Sequence, residues 1–332
     1  MRLYLATIVV ATGLTLGGCA PDSQRQALNA TPASNAPPCA ALASQVGQTL
    51  QVHETDRFLV LSAANDASAA ATGQFLEQAY LRFYEQFTLA GFEPKPPRDK
   101  LTWVCLNSYG ALEAYGRAAD GADVSWMDAY YSHRTNRVAA AMAAGRPAPQ
   151  ARVRSSGSPG KIAAFSDPGG GQIASGSLNI RTITHELTHQ LAFNTGLQRR
   201  GVTYPFWLTE GLATNFEADS PKSVGLGRHD SRYGPRLVEA KAGGRLISLE
   251  QFVGMTEWSA GQGTATRDAY AESWGLFRYL LERHPVALKK YMAEISSVWL
   301  PPQNSESLRR RFIAAFGPIK PLEANFLRSV DK

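Results

Sequence analysis

The chain has no apolar run of membrane-spanning length: the longest, Leu3 to Leu16, falls short of the roughly 20 residues a spanning helix needs. No internal repeat is visible, which removes stacked-repeat architectures. Cysteine is scarce, three in 332 residues, so a four-thiolate metal site is excluded. Charge is modest as well. Charged residues make up 19% of the chain, and the net +6 is spread along it. The one local cluster, Arg309-Arg310-Arg311, reads as a solvated helix face, so no nucleic acid is expected as a partner. Histidine is rare too, with six in all, and two of them stand four residues apart.

Those two lie in Ile180-Arg-Thr-Ile-Thr-His185-Glu186-Leu-Thr-His189-Gln-Leu-Ala-Phe193. At the helical repeat, residues four apart are offset by only about 40°, so one helical face presents both imidazoles and a single metal ion can bridge them. Ile180, Ile183, Leu187 and Leu191 form an apolar stripe on the opposite face. Glu186 falls beside the histidine face, placed to meet a water held by the metal instead of the metal itself. The plain alternative is an amphipathic helix whose histidines happen to recur.

A two-histidine site needs a third protein ligand, because a catalytic zinc is usually held by three side chains with its fourth position open. Downstream runs Tyr204-Pro-Phe-Trp-Leu-Thr-Glu210-Gly-Leu-Ala-Thr-Asn-Phe-Glu217. Pro205 suits a first helical turn, and Phe206, Trp207, Leu208, Leu212 and Phe216 mark a second buried helix. Glu210 is the acid in its middle. A solvated glutamate is the ordinary reading; buried among Trp207, Leu208 and Leu212 it would need a partner, and zinc would be one.

These segments, His185-Glu186-x-x-His189 and then Trp207-Leu-x-Glu210-Gly-Leu-Ala, resemble the gluzincin branch of zinc metallopeptidases. Within it the chain is most similar to the bacterial peptidase-MA-like group of the DUF1570 type, whose substrates are largely unknown. The resemblance spans roughly His53 to Leu327, though only the two metal segments are specific. It implies His185, His189 and Glu210 as zinc ligands and Glu186 as the catalytic acid/base. It also implies an α+β, zincin-like fold in two lobes, with an N-terminal mixed sheet and a mostly helical C-terminal part. In related gluzincins a tyrosine hydroxyl from a later helix stabilises the oxyanion, which makes Tyr270 the candidate here, beside the alternative of an ordinary buried tyrosine. An edge strand of the sheet would pair with an extended peptide.

The N-terminus has one cation, Arg2, an apolar run, and Leu16-Gly17-Gly18-Cys19. Residues 1–18 read as a signal peptide, and the ending resembles a bacterial lipobox, implying cleavage before Cys19 and lipidation of its thiol. Ala20 after it favours, by the same resemblance, outer-membrane sorting and a periplasm-facing location in the cell envelope. Residues 19–38 are rich in Ala, Pro, Asn, Ser and Gln and read as a flexible tether. With Cys19 assigned to lipid, Cys39 and Cys105 remain, and in an oxidising compartment they are expected to pair; the alternative is Cys105 as a small core residue.

The rest divides into residues 39–196, an α/β lobe with the histidine helix, and 197–332, a helical lobe with Glu210. Strands are expected at Arg57–Leu61, Leu101–Leu106, Asp128–Val138 and Lys161–Phe165, and a helix at Ala69–Phe87. Ser108 is expected to cap a helix through Tyr115, and Gly196 to close the histidine helix. Glu217 to Gly244 reads as loop, with His229 and Asp230 inside it; further helices are expected at Ile247–Val253, Asp268–Leu281, Ser305–Phe316 and Leu322–Leu327. Glu217 is a candidate to orient a histidine ligand or else a surface acid, and His133 is more ordinary surface than site.

The expected function is therefore a zinc peptidase acting on peptide or protein substrates, anchored to a membrane by N-terminal lipid. The rival from another class is a non-catalytic envelope lipoprotein using the fold as a binding or assembly module. Hydrolysis of cell-wall peptides is a further enzymatic alternative. Oligomeric state is not legible.

Overall fold

Leu101 to Leu106 is apolar at every position but Thr102, the pattern of a strand covered on both faces, and it forms the centre of the sheet. The computed structural model describes residues 47–63, 65–142, 179–218, 223–226, 232–258, 263–297 and 303–331. The signal peptide, Cys19, the tether, Cys39, the strand expected at 161–165 and His229 with Asp230 lie outside the described residues.

Among the described residues five strands, β1 (Gln51–Glu54), β2 (Phe58–Ser62), β3 (Leu101–Leu106), β4 (Ala129–Ser132) and β5 (Arg137–Ala141), assemble in the order β1-β2-β3-β5-β4. The central three run parallel, and the two edge strands, β1 and β4, run antiparallel to their neighbours. The stretch expected as one strand from Asp128 to Val138 is instead the hairpin β4–β5. Its turn is closed by Asn136 at φ 57, a left-handed conformation that Asn tolerates better than most residues.

Helices cover both faces of the sheet. On one lies α1 (Asp66–Leu89), started by Asn65, whose side chain accepts from Ser68 N, and burying Phe75, Leu76, Ala79, Tyr80, Phe83 and Phe87. The other face carries α2 (Tyr109–Tyr115), capped by Ser108 through Ala111 N, which runs into a π-helical turn (Gly116–Asp120). Leu61, Val104, Leu106, Leu112, Tyr115, Met127 and Tyr130 form the core between. Cys105 carries a free, buried thiol in β3, pushed up to about 12 by burial.

The histidine helix, α3 (Ile180–Asn194), packs on the α1 side of the sheet, where Trp103 Nε1 donates to Gln190 Oε1 at 2.8 Å. Gly196 closes it at φ 86. The remaining described chain is helical: α4 (Phe206–Phe216), α5 (Tyr233–Ala242), the short α6 (Leu249–Phe252), α7 (Thr264–Arg283), α8 (Pro285–Ile295), α9 (Ser305–Phe316) and α10 (Ile319–Ser329). The protein is thus α+β, a mixed five-stranded sheet followed by a mostly helical C-terminal part. Pro205 stands just before α4, one residue earlier than expected. Helix α5 occupies what reads as loop, because only Tyr233, Leu237 and Ala240 are buried along it and its apolar stripe is thin. Phe216 at the end of α4 meets Phe83 and Phe87 of α1, with ring centroids at 5.5 and 6.3 Å, which ties the C-terminal helices to the sheet layer. Among the described residues no helix is long and apolar enough to cross a membrane.

Candidate metal centre

Asn179 starts α3 by accepting from Arg181 N at 2.9 Å, and every residue from Ile180 to Phe193 is buried. The helix is therefore enclosed all round, not only along the expected apolar stripe. Its polar residues find partners inside: Thr184 and Thr188 donate to carbonyls one turn back, and Gln190 reaches Thr102 O.

The two histidines point the same way, their Nε2 atoms 3.1 Å apart. Glu210, from α4, brings Oε2 to 3.3 Å from His185 Nε2 and 3.8 Å from His189 Nε2. His185, His189 and Glu210 form a buried group that could hold a metal ion. Helix α4 can deliver Glu210 because Gly211 lies flush against α7, where a Cβ would stand 2.5 Å from Ser273 O.

His185 Nδ1 lies 2.7 Å from Glu217 Oε1. A carboxylate only accepts, so Nδ1 carries a proton and Nε2 is turned toward His189 and Glu210. Glu217 is itself anchored: Tyr233 donates to both of its oxygens at 2.9 and 3.0 Å, and Arg181 stands 3.7 Å away. Glu210 Oε2 is then left without a hydrogen bond. Donors at zinc bond lengths in a tetrahedral arrangement stand roughly 3.3 Å apart, close to the spacings seen here, so the donor set fits such an ion.

Glu186 lies beside this cluster. Its Oε2 accepts from the backbone N–H of Tyr131 in β4 at 2.7 Å, and its Oε1 is buried without a partner. Among the side chains alone, burial pushes Glu186 up to about 8. Burial also pulls His189 down. For His185 burial acts downward, but Glu210 and Glu217 outweigh it and lift the imidazole well above its ordinary value. Burial would raise Glu210; the two histidines reverse this and hold it at about 2. Tyr270, from α7, sits against the group with its ring 6.2 Å from His185, and burial together with the charges of Glu210 and Glu186 raises its phenol.

The structure thus brings His185, Glu186, His189, Glu210, Glu217 and Tyr270 together. His133 packs edge-on against Phe193 at 4.1 Å, half-buried and one turn beyond His189 along α3. Sequence reasoning missed three contributors, Tyr233, Arg181 and the Tyr131 N–H. The first two carry no motif, and the third is backbone, which leaves no mark in sequence. Cavities of about 290 Å³ beside Glu272 and about 580 Å³ beside Val286 are lined by none of these residues.

Residues 179–299 match the model of a family described as Protein of unknown function (DUF1570). Over that span the chain is similar to that family. The matched stretch opens at the residue that starts α3 and takes in every side chain of the centre, Tyr233 and Tyr270 included. No curated protein matches the chain.

Proposed function

We propose that the protein is a zinc-dependent peptidase of gluzincin type with a zincin-like, two-lobed fold, held in the bacterial cell envelope by a lipid on Cys19. The observation that carries the reading is Glu186: metal binding by His185, His189 and Glu210 does not need a second acid, yet Glu186 is held at Oε2 and unpaired at Oε1. A zinc ion on those three ligands would supply Lewis acidity, drawing the pKa of a water toward neutrality and polarising a carbonyl. Glu186 would take the water's proton at Oε1 and deliver it to the leaving amine. Tyr270, with its phenol raised, stays protonated and can donate to a developing oxyanion. Glu217 keeps the His185 ring in the orientation that presents Nε2. Strand β4 is the sheet edge beside Glu186 and would pair with an extended substrate.

A second reading is favoured by burial. His185, Glu186, His189 and Glu210 are at most 2% exposed, as a purely structural metal site would be in a non-catalytic envelope lipoprotein.

Elemental analysis of the wild-type protein and Glu210→Ala tests the metal, with about one zinc per chain expected in the first and none in the second. A panel of unfolded proteins and muropeptides then tests hydrolysis. A wild type that holds no metal and takes up none when zinc is added would sink the peptidase reading.

A further inference from the structure

Asp120 ends the π-helical turn on the sheet face opposite α3 and is 8% exposed. Both of its oxygens are used: Tyr130 donates to Oδ2 at 2.8 Å, and the Ser132 hydroxyl donates to Oδ1. Tyr130 and Ser132 flank Tyr131 in β4. Side chains alternate along a strand, so these two point toward Asp120 while the Tyr131 ring goes the other way and stacks on Phe193 at 5.7 Å.

The backbone alternates as well. Asp128 O and Ser132 O accept from Ala141 and Asn136 within the hairpin, so the even-numbered peptide groups face inward and the Tyr131 N–H faces away from β5. That outward N–H is the one bonded to Glu186 Oε2. Among the described residues, β4 has only four residues and pairs along one edge, so a single short ladder of backbone hydrogen bonds holds it lengthwise. Displacement of β4 along its length would carry the Tyr131 N–H out of reach of Glu186 Oε2.

We propose that Asp120 is a positioning residue for Glu186: by bridging Tyr130 and Ser132 it fixes β4 lengthwise, so that the Tyr131 N–H holds Oε2 and leaves Oε1 free. The turn suits this role. A π turn widens the helix by one residue per hydrogen bond and is often found at functional sites. Here Gly121, at φ 67, ends the turn immediately after Asp120. The inference rests on the reading of Glu186 as the catalytic acid/base.

The test uses the full chain with Asp120→Ala, Asp120→Asn, Ser132→Ala and, as reference, Glu186→Ala, and reads amide hydrogen exchange at Tyr131, zinc content, and kcat and KM on a peptide found in the substrate panel. Asp120→Ala is expected to speed exchange at Tyr131 as much as Glu186→Ala does, while Val138 and Ala139 stay protected and zinc content is unchanged. Turnover should fall on the order of 10²-fold with KM unmoved, the size of effect that small misplacement of a reacting group produces. Asp120→Asn should restore most of it, since an amide can still accept from one hydroxyl and donate to the other. Wild-type exchange at Tyr131 in Asp120→Ala would overturn the proposal. Should that variant lose protection across the whole hairpin, Ser132→Ala decides: exchange raised at Tyr131 alone supports the clamp, and no change overturns it. Zinc content and turnover of the wild type report separately on the peptidase reading, whose failure would leave the exchange result intact.

Discussion

Glu217 Oε1 stands 2.7 Å from His185 Nδ1, joining the residue just after α4 to a candidate metal ligand on α3. Tyr233 of α5 holds the far side of that carboxylate through both oxygens. Groups that orient a ligating histidine typically affect metal affinity by about 10- to 100-fold. Glu217→Ala is expected to lie within that range and Tyr233→Phe near its lower end, as measured by competition with a chelator. Unchanged affinity in Tyr233→Phe, with helix content preserved, would mean that the phenol serves packing alone.

Glu186→Gln should keep the fold and its zinc while losing turnover. Glutamine retains an oxygen for the Tyr131 N–H but cannot accept the proton at the second position. Hydrolysis at the wild-type rate would reject the acid/base role. His185→Ala, by contrast, should lose the metal itself.

Gly211→Ala sets two effects against each other. Alanine is the better helix former by about 1 kcal/mol. Yet its Cβ would meet Ser273 O at 2.5 Å and Phe277 Cβ at 2.7 Å, both on α7 and neither able to swing aside. Overpacking of this kind costs about 1–3 kcal/mol, so the clash wins and the protein should melt several degrees lower. Because Glu210 and Tyr270 ride on these two helices, zinc affinity should fall as well. A raised melting temperature would show that the helices part without penalty.

Glu272, on α7, faces away from the metal centre and is raised to about 8 by burial, only partly offset by the Ile247 N–H it accepts. A carboxyl whose folded pKa exceeds its unfolded value keeps its proton in the folded state after the unfolded chain has released it. Stability therefore falls as pH rises from about 4.5 toward about 8 and levels off beyond. Glu272→Gln should remove this slope and melt closer to, or above, the wild type near pH 8. Denaturant titrations across that pH range measure it, and parallel curves for the two proteins would reject the assignment.

Much of the centre was legible before any coordinates. The His185–His189 spacing on a helix and a lone acid among large apolar side chains at Glu210 are both local patterns. Glu217 was visible as a candidate because it falls seven residues after Glu210. Tyr233 was not, since α5 exposes most of its surface and leaves only three buried positions to read. The hairpin was misread as one strand for a related reason: its turn carries few of the usual breakers, and the left-handed residue is Asn136, not glycine.

By itself the sequence determined most of the local elements: the helices other than α5 and α8, where Ser108 starts one and Gly196 stops another, and which residues carry metal-ligand chemistry. These depend on periodicity and capping, which act within a few residues. Only the tertiary structure decided that β4, and not β1, is the edge beside Glu186, that a peptide N–H holds its carboxylate, and that Asp120 and Tyr233 support the centre from behind. Those contacts join residues 10 to 55 positions apart through backbone groups and buried hydroxyls. Their partners are set by how layers pack, and a one-dimensional pattern carries no record of which layers meet.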